Sequence, residues 1–154
     1  MKNAFTMIEL IFVIVILGIL SAVAIPRFAA TRTDAQITKG RADVASVRSA
    51  IITERQSRLI TGDNKFIEAG DSSTVNQLDS GGLFGGVLTY AITSQDSSGH
   101  WHSRSSTDVE SSTVKYKVAD TDITFTYTRS NGVFTCSKTS GSASAKAYCA
   151  NLVD

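Results

Sequence analysis

Glu9 is the residue whose type and position most clearly require a chemical explanation. It is followed by LIFVIVILGILSAVAI, the stretch from Leu10 to Ile25, which contains no charged residue. A carboxylate in apolar surroundings is costly unless it is paired or has a function. Glu9 therefore predicts an ion pair with a partner or, as the simpler alternative, a polar side chain that extends to a water interface.

His100 and His102, on either side of Trp101, are the second candidate. Two imidazoles on one side of a strand are a fragment of a metal site, but no third ligand follows at a diagnostic spacing. The Ser and Gly residues around them favour a loop. Trp101 is consistent with a core anchor and equally with an exposed contact point.

Asp120 and Asp122 lie between two alternating segments and could supply oxygen ligands to calcium. Asp is also a common turn residue, and the sequence has no EF-hand pattern. It has no Ser/His/Asp arrangement and no pair of catalytic carboxylates either. We therefore expect a protein that is not an enzyme and has no cofactor, with calcium at Asp120 and Asp122 as the weaker alternative.

The charge balance and the Gly-rich segment exclude two further classes of site. With 15 basic and 14 acidic residues the net charge is +1, so nucleic acid binding is not indicated. Residues 81–86, GGLFGG, look like a phosphate loop but lack the Lys-Ser/Thr of a nucleotide site and follow no clear strand. They predict a flexible turn.

Residues 5–25 are almost entirely apolar and, as a helix, extend over about 30 Å, the thickness of the hydrocarbon core of a bilayer. A secretory signal peptide explains Lys2 and the small residues Ala22 and Ala24, but it leaves Glu9 and the helical pattern beyond the cleavage site unexplained. A plain membrane anchor explains the length of the segment and again leaves Glu9 unexplained.

A third explanation accounts for all of these residues. The segment AFTMIEL (residues 4–10), followed by the apolar run and Pro26, resembles the prepilin N-terminus of type IV pilins and type II secretion pseudopilins. In that family a short basic leader is cut before a Phe, a Glu lies four residues after the cut, and a Pro ends the first half of the helix. Ala4 departs from the family, which usually has Gly there.

The resemblance implies a role for each matching residue. The leader is residues 1–4, cleavage occurs between Ala4 and Phe5, and the new amine of Phe5 is methylated. Glu9 pairs with the Phe5 amine of a neighbouring subunit, because neither charge can be solvated in an apolar fibre core. Pro26 kinks the helix, since it removes one backbone donor and clashes with the preceding turn.

The resemblance also implies a function and a location. The chain is expected to be a structural subunit of a type IV pilus-like filament or a type II secretion pseudopilus, serving secretion, adhesion, motility or DNA uptake. Its partners are copies of itself, prepilin peptidase, an inner-membrane assembly platform and minor pilins or pseudopilins. It spans the bacterial inner membrane once, with a cytoplasmic N-terminus and an extracytoplasmic C-terminal domain, before joining a periplasmic or extracellular filament. The alternative is an anchored or secreted binding domain that does not polymerise.

The expected fold class is α+β and pilin-like, with one long N-terminal helix packed on a small antiparallel sheet. The helix has a hydrophobic protruding half and then an amphipathic half, in which Val44, Val47 and Ile51 recur at helical spacing. Alternating residues predict strands near 88–92, 114–118, 123–127 and 133–136, with a hairpin at Asn131-Gly132. The chain is thus predicted to consist of five segments. These are a leader at 1–4, a transmembrane or filament-core helix at 5–25, the amphipathic half of the helix at 26–61, a connecting loop at 62–87 and the sheet region with the disulfide loop at 88–154.

Cys136 and Cys149 are the two cysteines of the sequence. Two buried free thiols are one interpretation, but a membrane-targeting N-terminus favours a disulfide that closes the segment between them. The pair also resembles the loop-closing disulfide common in type IV pilins. Residues 137–148, SKTSGSASAKAY, are poor in apolar side chains. We therefore expect this segment to depend on the bond for its order and to face solvent or a neighbouring subunit.

Overall fold

The computed structural model describes residues 5–69, 78–106 and 110–154. Two compact units make up the chain, residues 1–35 and residues 36–154. The first unit is part of one long helix, and the second contains the rest of that helix and every other described element.

A long helix followed by a small antiparallel sheet forms this fold, which confirms the predicted α+β class. Helix α1 (Met7–Ile60) begins in the first unit and ends in the second. In the sheet the strand order equals the chain order, β1-β2-β3-β4, and each pair of neighbours is antiparallel. The elements after α1 are β1 (Trp101–Ser106), β2 (Ser111–Val118), β3 (Thr121–Thr128), β4 (Val133–Cys136) and α2 (Ala143–Val153).

Helix α1 ends at Ile60, close to the predicted end. Gly62 has a φ of 89°, a left-handed conformation that a residue without a Cβ adopts at little cost. Its amide donates to the carbonyl of Leu59 at 3.1 Å, and the amide of Asp63 donates to the carbonyl of Arg58 at 2.9 Å. The carbonyls of Arg58 and Leu59 in the last turn are thereby satisfied as the chain turns away from the helix.

The second part of α1 contributes the predicted apolar stripe to the core. Val44, Val47 and Ile51 are each at most 1% exposed. They belong to one core cluster with the inward-facing side chains of the sheet, where β2 buries every second residue, among them Tyr116, and β3 buries Phe125. Helical spacing on α1 and alternation on the strands therefore supply two sides of a single core.

Trp101 lies at the centre of an aromatic cluster in this core. Its ring centroid is 5.4 Å from that of Phe84, 5.1 Å from Phe125 and 4.9 Å from Tyr116. Its indole Nε1 donates to Oδ2 of Asp43 on α1 at 3.0 Å. Trp101 is thus a core anchor, one of the two alternatives that the sequence leaves open.

Two buried tyrosines attach the sheet to other parts of the second unit. The hydroxyl of Tyr116 donates to the carbonyl of Gln36, and that of Tyr127 donates to the carbonyl of Ile67, both at 2.7 Å. Burial raises the pKa of both phenols above the usual range. Both side chains therefore stay protonated and able to donate.

The predicted strand at residues 88–92 is wrong. Leu83 pairs with Ile92 in an isolated antiparallel bridge, and the residues between them form turns. The amide of Leu88 donates to the carbonyl of Phe84 at 2.8 Å, which closes a turn instead of extending the chain. The Gly-rich segment is a turn, as predicted, but Phe84 within it is fully buried. Anchoring of that ring in the core sets the local path and overrides the strand-like alternation.

The expectation of a loop at residues 100–102 is also wrong for its last two residues. Trp101 pairs with Tyr116, and His102 pairs with Lys115, at the start of β1. The Ser and Gly residues nearby favour a loop locally, but burial of the indole and pairing with β2 outweigh that preference.

Helix α2 is an element that the sequence analysis does not predict. It occupies the second part of residues 137–148, which were expected to have little capacity to fold. The Oγ of Ser142 accepts a hydrogen bond from the amide of Ala145 at 3.2 Å and so caps the helix. The alanines that follow have high helix propensity. A capping Ser before an Ala-rich run is the signal that could have indicated α2.

Gly40 is a position of close packing between α1 and its neighbours. A Cβ there would lie 2.5 Å from Cε1 of Tyr116 and 2.7 Å from Cδ2 of Leu152. Real carbon atoms do not approach so closely, so a glycine at this position allows β2 and α2 to pack against the helix.

Candidate membrane-spanning and assembly segment

The first part of α1 is covered with exposed apolar side chains. Between Phe5 and Phe28 the large apolar residues are 39–79% exposed. Soluble proteins rarely present a contiguous apolar surface of this extent. The segment therefore needs an apolar environment that its own unit does not provide.

Helix α1 has the length and composition needed to cross a membrane. It contains an 18-residue apolar window with at most two charged residues, and none of that window is buried. Among the described residues it is the one helix with these properties. The predicted transmembrane or filament-core segment, residues 5–25, coincides with its exposed apolar part.

Glu9 lies in the first turn of α1, three residues after Thr6. Its backbone amide donates to Oγ1 of Thr6 at 3.3 Å, and the amide of Leu10 donates to the carbonyl of Thr6 at 3.2 Å. Thr6 thus caps the helix, and the Thr-x-x-Glu spacing is that of a capping box. The carboxylate also lies at the helix end where the dipole favours negative charge. Sequence reasoning missed this role of Thr6, although the spacing is visible in the sequence.

The other residues of the predicted processing site are only partly described. Phe5 is 77% exposed, one residue before the capping Thr6. Ala4, on the other side of the predicted cleavage point, lies outside the described residues, as does the rest of the predicted leader. Around Pro26 the helix is continuous. Since proline has no amide hydrogen, the carbonyl of Ala22 lacks its usual partner four residues later.

Cys136 and Cys149 form a disulfide in the structure, as predicted, with Cα atoms 5.9 Å apart. The bond joins the end of β4 to α2. Cys136 is 6% exposed and Cys149 is fully buried. Cys149 is buried because α2 packs its buried side against β3 and β4.

Three of the residues considered as metal ligands, His100, His102 and Asp122, have other partners. His102 Nε2 lies 3.0 Å from Oδ1 of Asp122, and the carboxylate of Asp122 also lies 3.6 Å from Nζ of Lys115 and 3.8 Å from Nζ of Lys117. Across residues 5–69, 78–106 and 110–154 no three metal-ligating side chains converge. Positive groups around Asp122 disfavour a cation there, and calcium binding stays an untested prediction.

His100 is held apart from His102 by its own hydrogen bond. Its Nδ1 lies 2.9 Å from Oγ of Ser97, whereas Nδ1 of His102 lies 3.0 Å from Oγ of Ser103. The two imidazoles therefore have separate hydrogen-bond partners, which gives no support to a shared metal ion.

Two comparisons bear on the identity of the segment. Residues 1–25 match the prokaryotic N-terminal methylation motif. Over 74 residues, the chain is 43% identical to the Type IV narrow pilus major component PilA5 of Thermus thermophilus. That match covers 47% of this chain and 64% of the relative, so the chain spans less than two thirds of the relative's length. No solved structure matches the chain.

These matches confirm the predicted resemblance to the type IV pilin family. The motif covers the predicted leader together with Phe5, Glu9 and the apolar run. The relative is by its name a major component of a type IV narrow pilus. The apolar helix is consistent with a pilin anchored in a membrane.

Proposed function

We propose that this chain, which has a prepilin-type N-terminus and resembles a type IV pilin, is a structural subunit of a pilus-like or secretion-pseudopilus filament. The observation that carries the proposal is the exposed apolar surface of α1, which begins beside a lone carboxylate, Glu9. Such a surface requires lipid before assembly and neighbouring helices afterwards. The second unit has its own core, to which no residue of the exposed apolar segment belongs.

Transfer of α1 from lipid to a helix bundle changes little in hydrophobic energy, because both environments are apolar. Specificity must therefore come from packing and from polar groups. Glu9 is the one acidic residue between Phe5 and Ile25. An ion pair between its carboxylate and the Phe5 amine of a neighbour would offset the cost of burying either charge and would fix the register of two subunits.

The proposal includes removal of residues 1–4 and methylation of the new amine of Phe5. The match to the N-terminal methylation motif supports both steps. The position of Thr6 supports the geometry, since cleavage leaves Phe5 directly before the helix cap and close in sequence to Glu9. Ala4 is small, as a residue before the cleaved bond should be.

The proposed partners and location follow from the same function. The chain spans the inner membrane once through α1, with its N-terminus in the cytoplasm, where prepilin peptidase and the assembly platform act on it. The second unit, with its disulfide, lies outside the cytoplasm, where disulfides form and persist. Other copies and minor pilins or pseudopilins then surround α1 in the filament.

Between the two kinds of filament, the comparison favours a pilus. The matched relative is by its name a pilus component. A surface pilus can be sheared from cells and collected, whereas a secretion pseudopilus remains short and within the envelope. Mass spectrometry of filaments sheared from the native host therefore separates the two, and absence of the chain from them would favour the pseudopilus.

The central experiment separates the charge of Glu9 from its position in the helix cap. Glu9→Gln removes the charge and keeps a side chain suited to a capping box, whereas Thr6→Ala removes the cap and keeps the charge. In a strain that expresses only the variant, Glu9→Gln should reduce filament yield about tenfold or more, since an unpaired partner charge costs more than 1.4 kcal/mol. Thr6→Ala should stay near the wild-type yield.

Membrane levels of each variant serve as the control for insertion, and both variants should match the wild-type chain. Normal filament yield from the Glu9→Gln strain would remove the pairing argument. If the wild-type chain is in the membrane and is found neither in sheared filaments nor in assemblies retained within the envelope, the alternative of an anchored domain that does not polymerise replaces the proposal.

A further inference from the structure

A cavity of about 290 Å³ lies in the second unit, beside the end of α1. Four separate parts of the chain line it. Arg55 comes from α1, Lys65 and Phe66 come from the segment after it, Glu110 directly precedes β2, and Arg129 directly follows β3. Basic side chains thus converge here from positions that are far apart in the sequence.

Arg55 is held in a fixed place on the wall of this cavity. The central carbon of its guanidinium group lies 4.0 Å from the centroid of the Phe66 ring, a stacking that limits its movement. Its Nε is buried and has no hydrogen-bond acceptor within the described parts of the chain. A buried donor normally has a partner, so an acceptor is missing at this point.

Arg129, the other arginine of the cavity, is already neutralised. Its guanidinium lies 3.1 Å from Oε1 of Glu68 and 3.2 Å from Oε1 of Glu110. These two glutamates are therefore engaged with a cation other than Arg55.

The nearby acids of α1 and its C-terminal turn are engaged as well. Arg58 lies 2.9 Å from Oε1 of Glu54 and 3.6 Å from Oδ2 of Asp63. Neither Arg55 nor Lys65 has an ion pair with any described residue. Arg55 and Lys65 are therefore the two cations of the cavity wall without a direct acidic partner among the described residues.

We propose that this cavity binds a small organic anion, whose carboxylate or phosphate oxygens accept hydrogen bonds from Arg55 and Lys65. The planar guanidinium provides directed donors, and Lys65 adds a flexible charge at the exposed side. Because Phe66 already holds Arg55, little side-chain entropy is lost on binding. Glu110 at the same wall repels a second negative group, so the site favours a single anionic head over a polyanion.

The site does not depend on the proposed filament function, and its test uses isolated subunits. The full-length chain, ¹⁵N-labelled in a non-ionic detergent, is titrated with inorganic phosphate and separately with acetate at constant ionic strength. The amide signals of Lys65 and Phe66 should shift and saturate. Lys65→Gln and Arg55→Gln should each weaken this binding about tenfold, the effect of one lost charge-assisted hydrogen bond.

Lys146→Gln is the matched control, since it removes the same charge from α2 and does not line the cavity. It should leave the titration unchanged. Lys65 is exposed, so its variant folds normally even if Arg55→Gln does not. Shifts that never saturate, or that are equal in the wild-type chain and the Lys65→Gln variant, would overturn the proposal.

The anionic group could come from a free molecule or from an acidic side chain of another copy. The titration distinguishes these sources if it begins from a dilution series without added anion. Shifts of the Lys65 amide that depend on protein concentration would assign the group to a second copy. Shifts that appear only with phosphate or acetate would assign it to a free anion.

Discussion

The indole nitrogen of Trp101 lies 3.0 Å from the carboxylate of Asp43, a hydrogen bond that joins β1 to α1 within the second unit. Asp43→Ala leaves the indole N–H without its acceptor on a side chain that is 1% exposed. We expect a loss of about 1–3 kcal/mol in the free energy of unfolding. Trp101 is the one tryptophan of the sequence, so its fluorescence during urea unfolding measures this change.

Asp43→Asn is the matched control for that variant. Its amide oxygen can still accept the indole hydrogen bond, so the loss should be smaller than for Asp43→Ala. Equal losses in the two variants would mean that the hydrogen bond contributes nothing beyond the packing of the side chain.

Gly40→Ala should destabilise the second unit, because the added methyl group would overlap Tyr116 and Leu152. Overpacking of this kind typically costs about 1–3 kcal/mol. Gly18→Ala in the same helix is the control, since a Cβ there meets nothing within 4 Å in the structure. Urea unfolding followed by Trp101 fluorescence should show a lower midpoint for Gly40→Ala alone. An unchanged midpoint would mean that Tyr116 and Leu152 move aside for the methyl group at no cost in stability.

The disulfide should stabilise the second unit by closing the segment between Cys136 and Cys149. Closing a loop of this size lowers the entropy of the unfolded chain and so raises the free energy of unfolding by about 3 kcal/mol. The variant with both residues changed to Ser should have a free energy of unfolding that is lower by about this amount. It should also lose the contribution of α2 to the helical circular dichroism signal. Thiol labelling of the unreduced, denatured chain tests the bond directly. Two reactive thiols per chain would contradict it and would weaken the placement of this unit outside the cytoplasm.

Processing should be visible in the mass of the protein from its native host. We expect a mature chain that lacks residues 1–4 and carries one methyl group on the amine of Phe5. Intact-mass measurement and fragmentation of the N-terminal peptide check both changes. A mature chain that begins at Ile25 would instead establish a secretory signal peptide.

Acid should weaken one surface ion pair of the second unit. A hydrogen bond from Lys117 lowers the pKa of Asp96 below its usual value of 3.8. Because the pKa is lower in the folded state, the pair contributes stability above pH 3.8, and this contribution is lost as the pH falls through the lowered pKa. Asp96→Asn should therefore reduce the stability difference between pH 6 and about pH 3. The effect should be small, since Asp96 is exposed.

Lys117→Gln removes the cause of the lowered pKa and should flatten the pH dependence in the same range. Unfolding midpoints in urea, measured by Trp101 fluorescence at both pH values, compare the three chains. A pH dependence that is unchanged in both variants would show that the pair does not contribute.

Local periodicity predicts a large part of this fold. The apolar run and the spacing of Val44, Val47 and Ile51 indicate α1, because every residue of a helix is placed by its near neighbours in sequence. Alternation likewise indicates β2 and β3. The local sequence pattern predicts the wrong backbone structure at residues 88–92 and at Trp101. There, burial of the Phe84 and Trp101 rings in a shared core determines the backbone path.

The functional residues divide in the same way. Phe5, Glu9 and Pro26 can be named as candidates from the sequence, because the prepilin-like segment that contains them is continuous, and their roles stay predictions. Thr6 could have been recognised from the Thr-x-x-Glu spacing. Arg55 and Lys65 could not, since a cavity that also takes side chains from residues flanking β2 and β3 has no signature in sequence spacing.

The order of the strands has a consequence for how the subunit folds. Within the described residues, each strand pairs with strands that adjoin it along the chain, and two residues, Ala119 and Asp120, connect β2 to β3. Hairpins of this kind form quickly, because little loop entropy is lost before the first contacts are made. The part of α1 that carries Val47 leaves the ribosome before any strand does. The sheet can therefore grow hairpin by hairpin onto a surface that already exists, and only α2 has to wait for the end of synthesis.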